Sequence, residues 1–305
     1  MQLDMLNARF AIDNHLKFVA GRGGFPYAVI DNHYASATVS LYAGQVLSWR
    51  AKTMQHDVLF LSDRAYYQPG KAIKGGVPVC WPWFGPDPQG KGRPAHGFAR
   101  TSEWEVIKTT ALDTGATQLL LGLTPNDRTR PLWDGDIEAQ LDITVGNTLR
   151  LALTTHNRGN ENIELSQALH SYFAVGDIAK TMVRGLEGRT YIDKVDGDRQ
   201  KVQSGAVTVS TEVDRIYTGV DRELQIHDAA FKRVIRIRAE GSASAVVWNP
   251  WQAVAAGMAD LGDEDYHRML CVETANAGPD VVKLGAGARH TLAAEFTAEQ
   301  TGVRS

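Results

Sequence analysis

The fold class of this chain is decided by residues 137–154, IEAQLDITVGNTLRLALT. Apolar and polar residues alternate up to Val145, the pair Gly146-Asn147 follows, and the alternation resumes at Leu149. A period of two places alternate side chains on one face of a strand. A Gly-Asn pair between two such runs is typical of a β-hairpin turn. The segment therefore predicts two antiparallel strands joined by a tight turn.

Short runs rich in β-forming residues recur on both sides of this hairpin. Helical periodicity is scarce, and the brief candidate at Gly262–His267 is better interpreted as a loop or a single turn. No linker, low-complexity tract or repeat divides the chain. We therefore predict one domain over residues 1–305, all-β, built of stacked antiparallel sheets. The other strand-like runs are Tyr27–Trp49 (as a meander), Val58–Leu61, Thr101–Ile107, Thr117–Leu123, Ile163–Val175, Ala206–Val213, Ile235–Ile237 and Ala245–Trp248.

The segment Lys74–Arg100, KGGVPVCWPWFGPDPQGKGRPAHGFAR, predicts an irregular loop. Its five prolines each remove a backbone donor, and Gly75-Gly76 permits backbone geometry that a side chain forbids. Loops of this length are uncommon in compact domains unless they carry function. We expect its aromatic residues to pack and its cations to face a cleft. The alternative is a Pro-rich surface excursion held down by Trp81 and Trp83.

The composition excludes several classes of protein. The chain has 305 residues, 43% hydrophobic and 22% charged, with a formal net charge of −3. It therefore has no global basic field for nucleic acid, and any anionic ligand is expected to be small. The only cysteines, Cys80 and Cys271, are too few for a disulfide scaffold. We expect both to be reduced, buried and inert in a cytoplasmic protein.

Neither a signal peptide nor a membrane span is predicted. The first eighteen residues include Asp4, Arg9 and Asp13 and lack an uninterrupted apolar core followed by a cleavage site. No apolar run approaches the roughly eighteen residues that a spanning helix needs. A membrane partner is therefore not expected.

Three segments place an ionisable group among apolar and aromatic residues: His96 in PAHGFAR, His170 in ALHSYF and Glu273 in LCVETAN. Trp248, in WNP, offers a ring of the sort that stacks on sugars. Each ionisable group alone is compatible with a structural role, such as a core histidine bonded to carbonyls or a carboxylate held by a cation. An antiparallel sheet can bring all three to one face, which predicts a shared pocket.

Common catalytic and metal motifs are absent. The chain has no P-loop, no G-x-S-x-G, no H-E-x-x-H and no C-x-x-C. Its nine histidines offer no closely spaced pair. We therefore predict neither a metal nor a cofactor.

Six motifs together resemble the aldose 1-epimerase superfamily, and within it the glucose-6-phosphate 1-epimerase branch. The resemblance runs from about Leu41 to Val282 and implies a galactose-mutarotase-like β-supersandwich and a hexose 6-phosphate as the small-molecule partner. A monomer is expected. In chain order the motifs are GGVPVCWPWFG, HGFAR, ALHSYFAVGDI, DRIY, VVWNPW and CVETA.

The resemblance also implies roles for individual residues. His170 matches the general acid and Glu273 the general base of the family. Three matches imply substrate contacts: Lys74 before Gly-Gly-Val-Pro, Arg100 at the end of HGFAR, and Asp214 of DRIY. His96 matches a histidine that contacts the sugar. Two positions depart from the family pattern: Lys74 stands where arginine is usual and offers a point charge in place of a planar fork, and Ala95 replaces a polar residue seen in some relatives.

The implied reaction opens the pyranose ring by removing the C1 hydroxyl proton while protonating the ring oxygen, and then recloses it. One acid and one base suffice. Three other functions stay open. The first is a mutarotase for unphosphorylated aldoses, and the second is a carbohydrate-binding protein without turnover. The third is a glycoside hydrolase, which needs a second carboxylate near Glu273, such as Asp214 or Asp260.

Overall fold

The computed structural model describes residues 3–221 and 223–302. It begins with helix α1 (Leu3–Phe10), which buries Leu6 and Phe10 in the main core. A four-stranded antiparallel meander follows and confirms the prediction for Tyr27–Trp49. Its strands are β1 (Leu16–Ala20), β2 (Pro26–Asp31), β3 (Ala35–Ser40) and β4 (Gln45–Ala51).

The rest of the described chain is mostly β-strand with one further short α-helix. In chain order its elements are β5 (Val79–Cys80), β6 (Glu105–Ala111), β7 (Thr117–Leu123), β8 (Ile137–Val145), β9 (Leu149–Asn157), β10 (Ile163–Leu165), β11 (Gln167–Leu169), β12 (Tyr172–Ala174), β13 (Thr181–Arg184), β14 (Thr190–Asp193), β15 (Arg199–Val202), β16 (Val207–Thr208), β17 (Val213–Thr218), β18 (Leu224–Asp228), β19 (Arg233–Glu240), β20 (Ser244–Asn249), α2 (Trp251–Ala256), β21 (Met269–Asn276), β22 (Val282–Leu284) and β23 (Arg289–Gln300). Single 3-10 turns lie at Arg22–Gly24, Ala99–Thr101, Arg130–Leu132, Ile178–Lys180, Lys194–Asp196 and Asp265–His267.

Two large sheets dominate the architecture. The nine-stranded sheet has the order β16-β13-β18-β19-β23-β9-β8-β7-β6. The eight-stranded sheet has the order β15-β14-β17-β20-β21-β11-β5, and β12 also pairs with β21. The hairpin predicted from residues 137–154 is β8 and β9, in which Val145 pairs with Leu149 and Ile137 with Asn157. All pairings between these strands within the described ranges are antiparallel, which confirms the predicted all-β class.

The two large sheets share one apolar core. Alternate residues of β8 are buried, as its period of two predicts. On the facing sheet, Leu270 and Val272 of β21 belong to the same buried cluster. Phe173 of β12 meets Phe296 of β23 edge to face, with ring centroids 5.1 Å apart. Strand β21 is buried at every position, so its opposite face must also be covered.

The sequence missed both α-helices. Helix α1 has only eight residues and a weakly apolar face, and α2 has six residues that follow β20 directly. Segments this short span only about two turns, so the apolar pattern does not separate them from loops. The prediction of a single turn near Gly262–His267 agrees with the 3-10 turn at Asp265–His267.

Four predicted strands differ in extent, and one of them, Val58–Leu61, has only isolated bridges at Leu59 and Leu61. Ile163–Val175 was predicted as one strand, but it is divided into β10, β11 and β12, and His170 lies in the break between the last two. The backbone N–H of His170 donates to Pro78 O, and that of Tyr172 donates to Gly76 O, so the loop takes bonds that a continuous strand would use. Similarly, Thr101–Ile107 becomes strand only from Glu105, and Ala206–Val213 contains the two-residue β16 and only the first residue of β17.

None of the helices in the described ranges is long and apolar enough to cross a membrane. Both Cys80 and Cys271 are buried free thiols, as predicted. The assignment of residues 1–305 to one domain stays a prediction.

Candidate active site

The outer face of the eight-stranded sheet carries rows of side chains that period-two geometry predicts. Val213 and Tyr217 of β17 face the main core, so Asp214 and Ile216 face the other way. In the strand register Asp214 pairs with Trp248, and Ile216 pairs with Val246.

The same rows continue across the next strand. Val246 pairs with Glu273 of β21, and Trp248 pairs with Cys271. Cys271 in turn pairs with Tyr172 of β12. Because opposed residues in antiparallel strands project to the same side, this face gathers a carboxylate pair, an indole, a thiol and a phenol.

A cavity of about 600 Å³ lies on this face, between the sheet and the loop Lys74–Arg100. The structure brings all six sequence-predicted site residues to its wall, which are Lys74, His96, Arg100, His170, Asp214 and Glu273. Further wall residues include Phe84, Tyr172, Lys194, Ile216, Trp248 and Met258.

His170 and Glu273 form the buried centre of the site. Nε2 of the His170 imidazole lies 3.4 Å from Oε1 of the Glu273 carboxyl group. Only 9% of His170 and 2% of Glu273 are exposed. Tyr172 stacks on the imidazole at 4.8 Å, and Trp248 meets it edge-on at 6.1 Å, so aromatic rings fix its plane.

Each member of this pair has one polar atom without a partner. Within the described part of the chain, His170 Nδ1 and Glu273 Oε2 are buried and accept or donate no hydrogen bond. Buried polar atoms are usually paired because an unmet bond costs about 1–3 kcal/mol. Two such atoms in one cavity wall are therefore available to a ligand.

Burial sets the protonation of the pair. It raises the pKa of Glu273 well above the ordinary value, and the nearby Asp214 charge raises it further against the opposing charge of Arg100. Burial also lowers the pKa of His170 well below its ordinary value, and His96, Arg100 and Lys74 act in the same direction. Both shifts favour the neutral forms, with a proton on the Glu273 carboxyl group and none added to the His170 ring.

His96 is held by the loop in one tautomer. Its backbone N–H donates to Gly85 O at 2.7 Å, and its Nδ1 accepts from Gly85 N–H at 3.3 Å. Burial, Arg100 and Lys74 lower the pKa of His96 to about 3, so the ring is neutral and carries its proton on Nε2. The residue has φ 63°, an unfavourable conformation for a side chain with Cβ.

The loop is anchored to the body of the protein by its tryptophans, as predicted. Trp81 and Trp83 are each 1% exposed. The indole N–H of Trp81 donates to Thr155 Oγ1 of β9 at 2.8 Å, and that of Trp83 donates to Pro94 O at 3.0 Å. Trp81 therefore ties the loop to strand β9, and Trp83 ties one part of the loop to another.

The two predicted phosphate-binding cations have different supports. Lys74 Nζ lies 3.5 Å from Asp260 Oδ2, and both side chains are partly buried. Gly75 and Gly76 follow with φ 116° and 61°, and a Cβ at Gly76 would lie 2.1 Å from Val46 O, so the turn after Lys74 requires glycine. Arg100 Nη2 donates to Ala95 O at 2.9 Å, which fixes part of its guanidinium group.

Sequence reasoning missed Lys194, which follows β14 and reaches the cavity from the turn at Lys194–Asp196. Its charge partly offsets the burial that raises the pKa of Asp214 to about 6. Lys194 Nζ also lies 2.5 Å from Asp198 Oδ1. Nothing in the local sequence KVDGD distinguishes this lysine from an ordinary turn lysine.

Three further cations, which stand in the sequence close to the site motifs, do not line this cavity: Lys91, Arg93 and Arg215. Arg93 forms a buried ion pair with Asp87 and donates to Leu132 O at 2.8 Å. Its guanidinium carbon stands 4.3 Å from the ring centre of Trp83, so it supports the loop.

One group in the described residues has the spacing of metal ligands. The ligand atoms of His170, Cys271 and Glu273 all lie within 4.8 Å of one another. Cys271 and Glu273 are two residues apart on β21 and so share a face. The spacing of histidines in the sequence does not reveal this group, because it combines three residue types. Two of them lie on β21, and His170 lies in the break between β11 and β12.

Comparisons with known proteins agree with the geometry. The family described as Aldose 1-epimerase matches residues 27–297. An Escherichia coli protein with the provisional name glucose-6-phosphate 1-epimerase is 38% identical over 250 residues, covering 82% of each chain. A protein of the same provisional name from Cenchrus ciliaris is 34% identical over 250 residues, covering 78% of this chain and 74% of its own.

Solved structures have the same fold. A Salmonella typhimurium crystal structure, described provisionally as a mutarotase, has a TM-score of 0.88 at 32% identity and covers 95% of this chain and 96% of its own. A galactose mutarotase related enzyme from Lactobacillus acidophilus has a TM-score of 0.72 at 14% identity, covering 91% and 99%. At that identity the likeness concerns the fold alone, and it confirms the galactose-mutarotase-like architecture.

Proposed function

Because this chain belongs to the aldose 1-epimerase family, a family of isomerases, we propose that it interconverts the α and β anomers of a hexose 6-phosphate. Glucose 6-phosphate is the first candidate. The observation that carries the proposal is the buried pair of His170 and Glu273 in one cavity wall with Lys74 and Arg100. This wall therefore places the pair that we propose to transfer protons beside two cationic side chains.

In the proposed reaction Glu273 takes the proton of the C1 hydroxyl, and His170 gives a proton to the ring oxygen. The C1–O5 bond breaks, and an aldehyde forms. Rotation about C1–C2 and reclosure then give the other anomer. In reclosure the roles exchange, with protonated Glu273 as acid and neutral His170 as base. The separation of 3.4 Å and the atoms without partners suit two groups that must both reach the anomeric end.

The single proton of the pair fits this exchange of roles. A protonated carboxyl with neutral imidazole is the state after ring opening, and a carboxylate with imidazolium is the state before it. The charges of Lys74 and Arg100 oppose protonation of His170. A phosphate dianion bound to these cations removes part of their field, so substrate binding makes the acid form of His170 more accessible.

The phosphate is proposed to bind Lys74 and Arg100, with Lys194 as a third cation on the wall. Charge-assisted bonds of this kind contribute about 1.5–3 kcal/mol each. Asp214 is proposed to accept from a sugar hydroxyl, and neutral His96 to donate from Nε2. Trp248 offers a ring face to the pyranose. The reaction as written needs no cofactor.

The experiment that tests the proposal is two-dimensional NMR exchange between α- and β-glucose 6-phosphate with and without the protein. A catalysed exchange rate proportional to protein concentration is expected. An exchange rate equal to the spontaneous rate at every protein concentration would contradict it.

Three alternative functions predict different results in solution assays. A mutarotase for free aldoses would give a higher kcat/KM on galactose than on glucose 6-phosphate. A carbohydrate-binding protein without turnover would bind the sugar phosphate in calorimetry and leave the exchange rate unchanged. Release of reducing sugar from a glycoside would indicate hydrolysis, since Asp214 and Glu273 share the cavity wall.

We further propose that the protein acts as a monomer in the cytoplasm. Its free, buried cysteines suit a reducing compartment.

A further inference from the structure

We propose that His170, Cys271 and Glu273 together form a binding site for a thiophilic divalent cation, with zinc as the first candidate, and that the bound cation inhibits the enzyme. The three ligand atoms, one nitrogen, one sulfur and one oxygen, lie within 4.8 Å of one another. Zinc takes ligands of these three types. The binding part stands on this geometry, and the inhibition part rests on the proposed function.

The strand pairing explains why the three groups meet. Cys271 and Glu273 point to the outer face of β21 because they are two residues apart. Tyr172 is the register partner of Cys271, and His170 lies just before it in the break between β11 and β12. Backbone hydrogen bonds set this arrangement, and it brings the three ligand atoms within 4.8 Å of one another.

The atoms without hydrogen-bond partners give a second, independent indication. Glu273 is 98% buried with a free Oε2, and His170 is 91% buried with a free Nδ1. A cation bound beside Glu273 would give its Oε2 atom a partner. The cavity of about 600 Å³ leads to both side chains and leaves room for a water in the fourth position of a tetrahedral site.

Cation binding and catalysis compete for the same atoms. To bind, Cys271 releases its thiol proton to solvent, and the proton held by the His170–Glu273 pair leaves as well. A bound cation then occupies the base and the acid together. Ring opening needs one of these groups to accept a proton and the other to donate one, so both steps stop.

The test uses Co²⁺ as a spectroscopic probe for the chelator-treated protein. A thiolate-to-cobalt charge-transfer band is expected for the unmodified protein. The matched variants are Cys271→Ala and Cys80→Ala, since Cys80 is also a buried free thiol but lies outside the ligand group. The band is expected to vanish in C271A and to persist in C80A. Cys271→Ser serves as a second variant if C271A fails to fold.

The activity arm adds Zn²⁺ to the exchange assay. Measured against its own rate without metal, C271A is expected to need at least about 10–100-fold more zinc for half inhibition, the loss typical of even an outer-sphere partner. EDTA should restore the exchange rate of the unmodified protein after inhibition by zinc. Equal zinc sensitivity in C271A, or a charge-transfer band that survives in C271A and C271S, would overturn the proposal.

The spectral arm separates this proposal from the function. A protein that shows the band and catalyses no exchange has the metal site without the proposed activity. A protein that catalyses exchange and shows no band has the activity without the metal site.

Discussion

Replacing Glu273 by glutamine removes a proton acceptor while keeping the shape of the side chain. The carboxyl oxygen lies 3.4 Å from His170 Nε2 and is packed in the buried centre of the site. An amide of equal size retains this packing but takes no proton from the C1 hydroxyl. The variant therefore isolates proton transfer from cavity shape.

The expected loss follows from the value of a positioned base. General-base catalysis contributes roughly 10²–10⁴-fold, which corresponds to about 3–5 kcal/mol of activation free energy at 1.36 kcal/mol per tenfold. We expect kcat/KM for glucose 6-phosphate to fall by that factor. The KM should change little, since no phosphate contact is touched.

The same substitution should not weaken the fold at neutral pH. Because the folded-state pKa of Glu273 is raised, the folded protein retains its proton where the unfolded chain loses it. As the pH rises above the ordinary pKa of a glutamate, this carboxyl group therefore lowers the free energy of unfolding. Glutamine avoids this cost, so the melting temperature of E273Q at pH 7 should equal or exceed that of the unmodified protein.

Glu138→Gln provides the matched control. Glu138 also faces a histidine, with Oε1 3.0 Å from His156 Nδ1, but it does not line the cavity. NMR exchange at several protein concentrations measures both variants after subtraction of the spontaneous rate. An E273Q rate within threefold of the unmodified protein, or an E138Q loss as large as that of E273Q, would refute the reasoning.

Four further substitutions test other parts of the site. His170→Ala should reduce exchange to near the spontaneous rate with an unchanged circular dichroism spectrum, and full activity would remove His170 as the acid. Arg100→Ala should raise the KM for glucose 6-phosphate roughly 10–100-fold and that for free glucose much less, and equal changes would contradict phosphate binding. Trp248→Ala should raise the KM for free and phosphorylated sugars alike, about 2–10-fold, so a selective change would exclude ring stacking. Asp214→Asn should become more stable than the unmodified protein as the pH rises from 3.8 to about 6. The raised pKa of Asp214 makes the free energy of unfolding of the unmodified protein fall over that interval. Denaturant titrations in which the two proteins do not diverge would contradict this prediction.

Alternation predicted some of the strands that have one buried face, such as β8 and β9, but not the similarly alternating β18. Strands β8 and β9 begin within a residue of the predicted hairpin because alternation of apolar and polar residues records burial directly. Strand β21 is buried on both faces, so its sequence carries no such alternation. The break at His170 also escaped prediction, because it depends on hydrogen bonds to Pro78 and Gly76 far earlier in the chain.

The candidate site was predictable as a set of residues and not as a geometry. The six matched residues came from motifs, and the structure places them on one wall. The distance between His170 and Glu273, the approach of Cys271 and the entry of Lys194 all depend on strand register. A period of two predicts that Cys271 and Glu273 share a face. It does not predict which strand lies opposite.

The pairing of β21 with β11 and β12 places side chains that are distant in the chain next to each other. Closing so long a loop costs conformational entropy before any contact compensates for it. No contiguous stretch of this chain therefore contains the proposed chemistry. It exists only while β21 is paired with β11 and β12, because this pairing brings His170 within 3.4 Å of Glu273.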